Sequence, residues 1–170
     1  MINLIVENFN RVLKNRRRLE KALHVDISGQ KENLSIEGPA EEEYIAEKVF
    51  RALDFGFPMS VALLIKTQDY MFEEINIKDE TKRKDLGRVR ARIIGKKGKA
   101  LKTLSSLTKC YFELKDNSIG IIGDPENIKT AQDGLTSLIR GAKHSNVYSY
   151  LEKHQPKEVV DLGLKGNNKF

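Results

Sequence analysis

One stretch of the chain, from Gly87 to Thr108, constrains the fold more than any other. It reads GRVRARIIGKKGKALKTLSSLT. Gly95 and Gly98 enclose a short turn, and glycines allow backbone angles that a Cβ would obstruct. Leucines recur after the turn at helical spacing, which predicts a helix whose first N–H groups point back at the turn. A phosphate suits such a place, because the helix dipole and the lysines of the turn are both positive.

An apolar pair followed by Gly-Lys-Lys-Gly is typical of the GxxG loop of a KH domain. A KH domain clamps about four nucleotides of single-stranded RNA at this loop. The motif alone is weak evidence, and the alternative is a helix-loop-helix whose lysines face solvent. Here a basic amphipathic helix and a strand pair follow, which favours the KH interpretation. The residues predicted to bind RNA are Arg88, Arg90, Arg92, Ile93, Ile94, Gly95, Lys96, Lys97, Gly98, Lys99, Leu101, Lys102 and Ile121.

The positive charge of the chain is concentrated on this stretch. The net charge is +6, but residues 1–80 contain 11 basic and 15 acidic residues, whereas residues 81–170 contain 19 and 9. Residues 82–109 alone contain 11 basic residues and one acidic residue. Such concentration indicates a nucleic acid partner. A membrane surface is disfavoured because the helix after the turn has leucines without large aromatic residues on its apolar side, and no apolar run approaches the roughly 20 residues of a membrane span.

The sequence contains no pattern typical of an enzyme. Cys110 is the single cysteine, which excludes an internal disulfide and a cysteine-based metal cluster. His24, His144 and His154 do not have metal-ligand spacing, and carboxylates are nearly absent around the turn. The segment from Gly95 lacks the spacing of a Walker loop. We therefore predict no enzymatic activity, no catalytic residues, no metal and no cofactor.

An internal repeat indicates two similar domains. The segment LSIEGPAE at 34–41 resembles IGIIGDPE at 119–126. Gly38 and Gly123 are the central glycines of these segments, and we define the repeat interval as the separation between them along the chain. Each glycine follows a predicted strand and precedes a predicted helix, at 41–53 and 125–140. We predict an α+β fold of two tandem type I KH domains, each a three-stranded antiparallel sheet with helices packed on one face. The predicted domains are 1–66 and 70–154, followed by a C-terminal tail at 155–170.

The first predicted domain lacks the glycine turn. Residues 11–23 have the pattern of one basic helix, and the position equivalent to the turn falls near residues 14–17, which contain no glycine. This domain is therefore predicted to be a degenerate KH domain without an RNA clamp. The arginines at 16–18 are either a solvated helix face or additional contacts to RNA phosphates.

Three segments together resemble the archaeal form of the partner-of-NOB-one family, which comprises tandem KH-domain factors of small ribosomal subunit assembly and is related to the KRR-type processome proteins. They are GRVRARIIGKKGK from Gly87, IIGDPE from Ile121 and GAKHSNVY from Gly141. The resemblance implies an archaeal, cytoplasmic protein that binds single-stranded RNA near the 3′ end of the small-subunit rRNA and assists its maturation, with a NOB-type endonuclease as a protein partner. The alternative function is an adaptor that recruits a maturation endonuclease or a translation factor and contacts RNA only non-specifically.

Overall fold

The computed structural model describes residues 1–155, which form two halves with similar elements. The first half contains β1 (Ile2–Ile5), α1 (Phe9–Lys14), α2 (Arg16–Leu23), β2 (Asp26–Gln30), β3 (Asn33–Glu37) and α3 (Ala40–Phe55). Two short helices, α4 (Met59–Ala62) and α5 (Leu64–Thr67), lead into the second half. The second half contains β4 (Met71–Asn76), α6 (Ile77–Glu80), α7 (Leu86–Ile94), a 3₁₀ turn (Lys96–Gly98), α8 (Lys99–Thr108), β5 (Tyr111–Lys115), β6 (Ser118–Gly123), α9 (Pro125–Ile139) and α10 (His144–Lys153).

Each half has its own three-stranded antiparallel sheet. The strand orders are β1-β3-β2 and β4-β6-β5, so the last strand of each half lies in the centre of its sheet. The long helices that follow the central strands, α3 and α9, begin as the sequence predicts. Asp124 caps α9 by accepting a hydrogen bond from the N–H of Glu126 (2.9 Å), with Pro125 in the first helical position. The α+β class with antiparallel sheets is confirmed.

The repeat extends beyond the motif that reveals it in the sequence. Positions separated by the repeat interval share unusual positive φ angles in three places. The pairs are His24 with Lys109 (56° and 57°), Lys31 with Asp116 (55° and 52°), and Gly56 with Gly141 (127° and 107°). The first pair ends α2 and α8, and the second lies in the two strand hairpins. The halves therefore repeat each other in backbone conformation.

The central strand β6 connects the two hydrophobic cores. Ile119 and Ile121 pack in the core of the second half, whereas the side chain of Ile122 packs in the core of the first. Gly120 lies against the first half so closely that a Cβ there would be 2.8 Å from the rings of both Phe55 and Phe57. The first half thus covers the part of the outer face of the second sheet around Gly120 and Ile122.

Three details differ from what the sequence pattern predicts. The single helix predicted at 11–23 is divided into α1 and α2 at Asn15. The apolar residues at 59–65 also have the pattern of one short helix, but they form α4 and α5. Residues 70–78 have the pattern of one strand, but β4 ends at Asn76, because the Asn76 side chain accepts a hydrogen bond from the Lys78 N–H (3.0 Å) and starts α6. The tail predicted at 155–170 lies outside the described residues, except for Gln155.

Candidate nucleic-acid interface

The Gly95–Gly98 turn has a sharply constrained backbone. Gly95, Lys97 and Gly98 have φ angles of 72°, 54° and 75°, so three of its four residues have positive φ. The N–H of Gly98 donates to the carbonyl of Gly95 (3.2 Å) and closes the turn. Lys97 is the one non-glycine residue of the three, and such strained residues concentrate at binding sites. The turn joins α7 to α8, and α8 is the helix that the sequence predicts after the turn.

The two glycines of the turn are required for different reasons. A Cβ at Gly95 would lie 2.5 Å from the Cβ and 2.7 Å from the backbone nitrogen of Ala100, so there is no space for a side chain. A Cβ at Gly98 would meet nothing within 4 Å. Gly95 therefore holds the turn against α8, while Gly98 leaves its backbone open to an approaching ligand.

The lysines around the turn are exposed cations. Lys96, Lys97, Lys99 and Lys102 all face solvent, and among residues 1–155 none has a carboxylate within 4.0 Å. The first turn of α8 contains no acidic residue. The positive end of the helix dipole and the lysine charges therefore act on the same place.

The apolar residues predicted for the site lie at different depths. Ile94 is 37% exposed, and Leu101 is half-buried. Ile93 and Ile121 have no exposed surface, because both pack in the core of the second half. The structure thus presents Ile94 and Leu101 at the surface, with Ile93 and Ile121 supporting them from below and out of reach of direct contact.

The three arginines of α7 point to different partners. The guanidinium of Arg90 donates to the Asp116 carbonyl (3.0 Å) and to Asn117 Oδ1 (3.2 Å) in the β5–β6 hairpin. The guanidinium of Arg92 donates to the carbonyls of Leu138 (2.6 Å) and Ala142 at the end of α9. The Arg88 side chain is 86% exposed and makes a 3.7 Å contact to Asp85. Arg88 is therefore the most available of the three to a ligand.

Two further residues position α7 and its counterpart, His144 and Arg11, and the sequence did not predict the role of Arg11. His144 Nε2 lies 2.9 Å from the carbonyl of Arg92, so the start of α10 is also linked to α7. In the first half, the Arg11 guanidinium donates to the carbonyls of Phe57 (2.9 Å) and Leu53 (3.5 Å). These acceptors precede Ala142 and Leu138, the acceptors of Arg92, by one repeat interval each. The repeat interval matches the acceptors but not the donors, because it places Arg11 opposite Lys96 rather than Arg92.

Within residues 1–155, no group of three or more His, Cys, Asp or Glu side chains is arranged to hold a metal ion. Burial raises the pKa of the Cys110 thiol to about 11, so it stays protonated at neutral pH. None of the helices in this part of the chain combines the length and apolar character needed to cross a membrane.

Comparison with known proteins agrees with the geometry of the turn. The family model for the second KH domain of PNO1, described as a eukaryotic type KH-domain (KH-domain type I), matches residues 71–156. The chain belongs to this PNO1/Dim2-type KH family. The resemblance inferred from the sequence is thereby confirmed, and the turn is the GxxG loop of a KH domain.

Individual relatives extend the comparison. A KH domain-containing protein of Methanocaldococcus jannaschii is 32% identical over 113 residues, which cover 66% of this chain and 50% of the relative. The pre-rRNA-processing protein PNO1 of Yarrowia lipolytica is 36% identical over 104 residues, covering 59% of this chain and 40% of that protein. The chain spans about half the length of the curated relatives it matches. Their names describe KH domains, RNA binding and pre-rRNA processing rather than catalysis.

A solved structure shows the same fold. It is the crystal structure of the a/eIF2alpha–aDim2p–rRNA complex from Pyrococcus horikoshii, with a TM-score of 0.79 and 24% identity. The similarity covers 89% of this chain and 92% of that chain, so it includes both halves. At this level of identity the likeness establishes the fold.

Proposed function

We propose that this protein binds single-stranded RNA at the Gly95–Gly98 turn and acts in assembly of the small ribosomal subunit, near the 3′ end of its rRNA. The observation that carries the proposal is the turn itself. It combines an open backbone at Gly98 with exposed Lys96 and Lys97 beside the N-terminus of α8. The family membership, the pre-rRNA-processing relatives and the rRNA-bound structural neighbour support the ribosomal context.

The two halves have different parts in this proposal. We interpret both as KH domains, 1–66 and 70–154, because they share strand order and the repeat of backbone angles. Only the second contains the turn, so it is the one proposed to clamp RNA. Its contact surface comprises the turn lysines with Lys99, Lys102, Ile94 and Leu101.

A double substitution in the turn tests this proposal. Lys96→Asp with Lys97→Asp replaces two positive charges by two negative ones beside the expected phosphate path. Like charges in contact cost several kcal/mol, so affinity for a 3′-terminal small-subunit rRNA fragment is expected to fall about 100-fold or more. Both side chains are exposed, and aspartate tolerates the left-handed backbone of Lys97, so the thermal melt is expected to change little.

A matched control lies at the equivalent place in the first half. Arg17→Asp with Arg18→Asp makes the same change of charge on α2, where both residues are exposed. Acidic residues in the first turn of a helix are favourable, so α2 is expected to form. RNA affinity, measured at two salt concentrations, is expected to fall less than tenfold. If the turn variant binds normally, or the α2 variant is the weaker binder, the assignment of RNA binding to the turn is wrong.

The first half provides a second candidate function, as a surface for a protein. Its net charge is negative, it lacks the glycine turn, and the structural neighbour with both halves was crystallised together with a/eIF2alpha as well as rRNA. We propose that a NOB-type endonuclease or a translation factor binds there. Calorimetric titration of either protein into the full chain tests this: the Lys96→Asp/Lys97→Asp variant is expected to bind it normally. Absence of binding to both proteins would contradict the proposal.

A further inference from the structure

A second cluster of cations lies at the other end of α7, away from the turn. It consists of Lys82, Arg83 and Lys84 in the segment before α7, together with Arg88 in its first turn; we call these four residues the basic shoulder. Lys82, Arg83, Lys84 and Arg88 are all exposed. A groove of about 740 Å³ runs along this side of α7 and is lined in part by Arg83, Lys84, Arg88 and Ala91.

The shoulder and the hairpin side of the turn are on different flanks of α7. Successive residues of an α-helix are about 100° apart, so Arg90 and Arg92 point about 200° apart. Arg90 faces the β5–β6 hairpin, and Ile94 shares its flank one turn later. Arg92 faces the end of α9, and Arg88 shares that flank one turn earlier. The shoulder is therefore a separate surface rather than an edge of the clamp.

The charge of the shoulder is neutralised only in part within the described residues, by the exposed contact between Arg88 and Asp85 (3.7 Å). Lys82, Arg83 and Lys84 have no carboxylate within 4.0 Å in residues 1–155. Two acids next to the shoulder are already engaged: Asp85 caps α7 by accepting from the Arg88 N–H (3.1 Å), and Glu80 pairs with Arg140 (2.9 Å). The Arg83 guanidinium lies close to Gly141, where an added Cβ would be 2.6 Å from Arg83 Nη2. Concentrated positive charge of this kind favours a polyanion.

We propose that the basic shoulder binds the phosphates of the RNA strand that flanks the nucleotides held by the turn, a proposal that rests on the RNA-binding function above. The distance supports a single continuous strand. The nine residues of α7 rise about 13 Å, a length that about four nucleotides cover even at about 3.4 Å each, the axial spacing of one strand within a duplex. A strand that leaves the clamp along α7 therefore reaches the shoulder within a few nucleotides. An acidic protein surface would also suit the charge, but it would not require this position at the end of the clamp helix.

RNAs of different length separate the two surfaces. The variant is Lys82→Glu with Lys84→Glu, which changes exposed residues outside any helix. An RNA of about four nucleotides occupies only the clamp. Its affinity for the variant is expected to stay within about twofold, because contacts beyond roughly 8 Å are screened at physiological salt. Two RNAs of about eight nucleotides, one extended at the 5′ end and one at the 3′ end, are titrated in the same way. One of them is expected to bind the variant about tenfold more weakly than it binds the unchanged protein. The slope of its log affinity against log salt concentration is expected to fall by about 1.4, because two phosphate contacts are lost.

A control with the same change of net charge isolates the place of the effect. Lys129→Glu with Lys153→Glu alters two exposed lysines on α9 and α10. It is expected to leave all three affinities near those of the unchanged protein. The proposal is overturned if neither extended RNA loses affinity, if the short RNA loses as much as the long ones, or if the control loses as much as the variant. If the unchanged protein does not bind the short RNA, the clamp fails first, and the shoulder proposal falls with it.

Discussion

The junctions between paired helices are where the two halves differ most. In the first half, α1 and α2 are joined by the single residue Asn15, whose side-chain amide donates to the Arg11 carbonyl (3.0 Å). In the second half, α7 and α8 are joined by the four-residue turn from Gly95 to Gly98. Leu104 lies one repeat interval beyond Leu19, but Arg92 is farther from Leu104 along the chain than Arg11 is from Leu19. The extra length equals that of the turn.

The parts that the halves share explain why one of them needs no turn. Each has an arginine in the first paired helix that donates to two carbonyls near the end of its long helix. Each ends its second paired helix with a left-handed residue, His24 or Lys109. Leu19 and Leu104 both have almost no exposed surface. The fold therefore depends on these shared contacts, while the turn is an addition that provides the open, positive surface.

Substitution of a turn glycine is expected to have the largest effect, because Gly95 contributes both to stability and to RNA binding. Gly95→Ala introduces a Cβ 2.5 Å from Ala100 at a backbone conformation, φ 72° and ψ 175°, that is almost restricted to glycine. We expect a loss of about 3 kcal/mol in the free energy of unfolding, together with loss of RNA binding. Chemical denaturation and RNA titration of the same preparations measure the two effects.

Gly98→Ala is the matched control within the turn. Its φ of 75° is also positive, but the new Cβ would meet open space, so a stability loss of about 1 kcal/mol is expected. That Cβ projects where the backbone is open to a ligand. The loss in the free energy of RNA binding is therefore expected to exceed the loss in the free energy of unfolding. Equal stability losses at the two glycines would contradict the different roles assigned to them.

Substitution of the arginines that link the helices, Arg92 and Arg11, is expected to cause smaller losses of stability than Gly95→Ala. Arg92→Met removes a charged donor from two carbonyls at the end of α9, and a loss of about 2 kcal/mol is expected. Arg11→Met removes the equivalent contacts in the first half, where the acceptor distances are longer and the arginine is exposed, and a loss of about 1 kcal/mol is expected. For a chain of this size, about 1 kcal/mol corresponds to about 2–4 °C in Tm.

RNA titration shows whether Arg92 acts through the fold or through contact. The guanidinium of Arg92 is occupied by backbone carbonyls. The Arg92→Met variant is therefore expected to bind RNA normally when the titration is done well below its melting temperature. Arg88→Met changes an exposed side chain and is expected to show the opposite pattern, with a normal melt and weaker binding. If the Arg92 variant melted normally but did not bind RNA, Arg92 would contact the RNA directly, contrary to this prediction.

These arginines also show how far the sequence leads. Glycine spacing, the amphipathic helix and the repeat of Gly38 in Gly123 predict the turn, the antiparallel sheets and the repeat itself, because each depends on local residue type. The directions of Arg88, Arg90 and Arg92 depend on which helix end lies beside α7, and only tertiary packing decides that. The complete burial of Ile93 and Ile121 has the same origin, since the sequence shows them to be apolar but does not show how deep they lie.

The smallest expected effect concerns the way in which each half attaches its second paired helix to the sheet. In the first half, the Glu20 carboxylate accepts hydrogen bonds from Arg16 Nε (2.8 Å) and from the Ile27 N–H (3.0 Å). In the second half, position 105 is equivalent, and the Ser105 hydroxyl donates to the Cys110 carbonyl (2.5 Å). One attachment is charged and the other is neutral, so acid is expected to weaken only the first.

The sign of this pH dependence follows from the carboxyl group. The hydrogen bond from Arg16, opposed in part by desolvation, lowers the pKa of Glu20 below its ordinary value of 4.5. Its contribution is therefore complete above the unfolded pKa of 4.5 and is lost as the pH falls through the lower folded value. Glu20→Gln is expected to lower the free energy of unfolding by about 1 kcal/mol at pH 7, and to have no effect once the pH is below the folded pKa of Glu20. Ser105→Ala is expected to lower it by a similar amount at every pH. Denaturation of both variants between about pH 3 and pH 7 is the measurement. If the deficit of the Gln variant persisted unchanged at the acid limit, Glu20 would act by shape rather than by charge, and the two attachments would be equivalent after all.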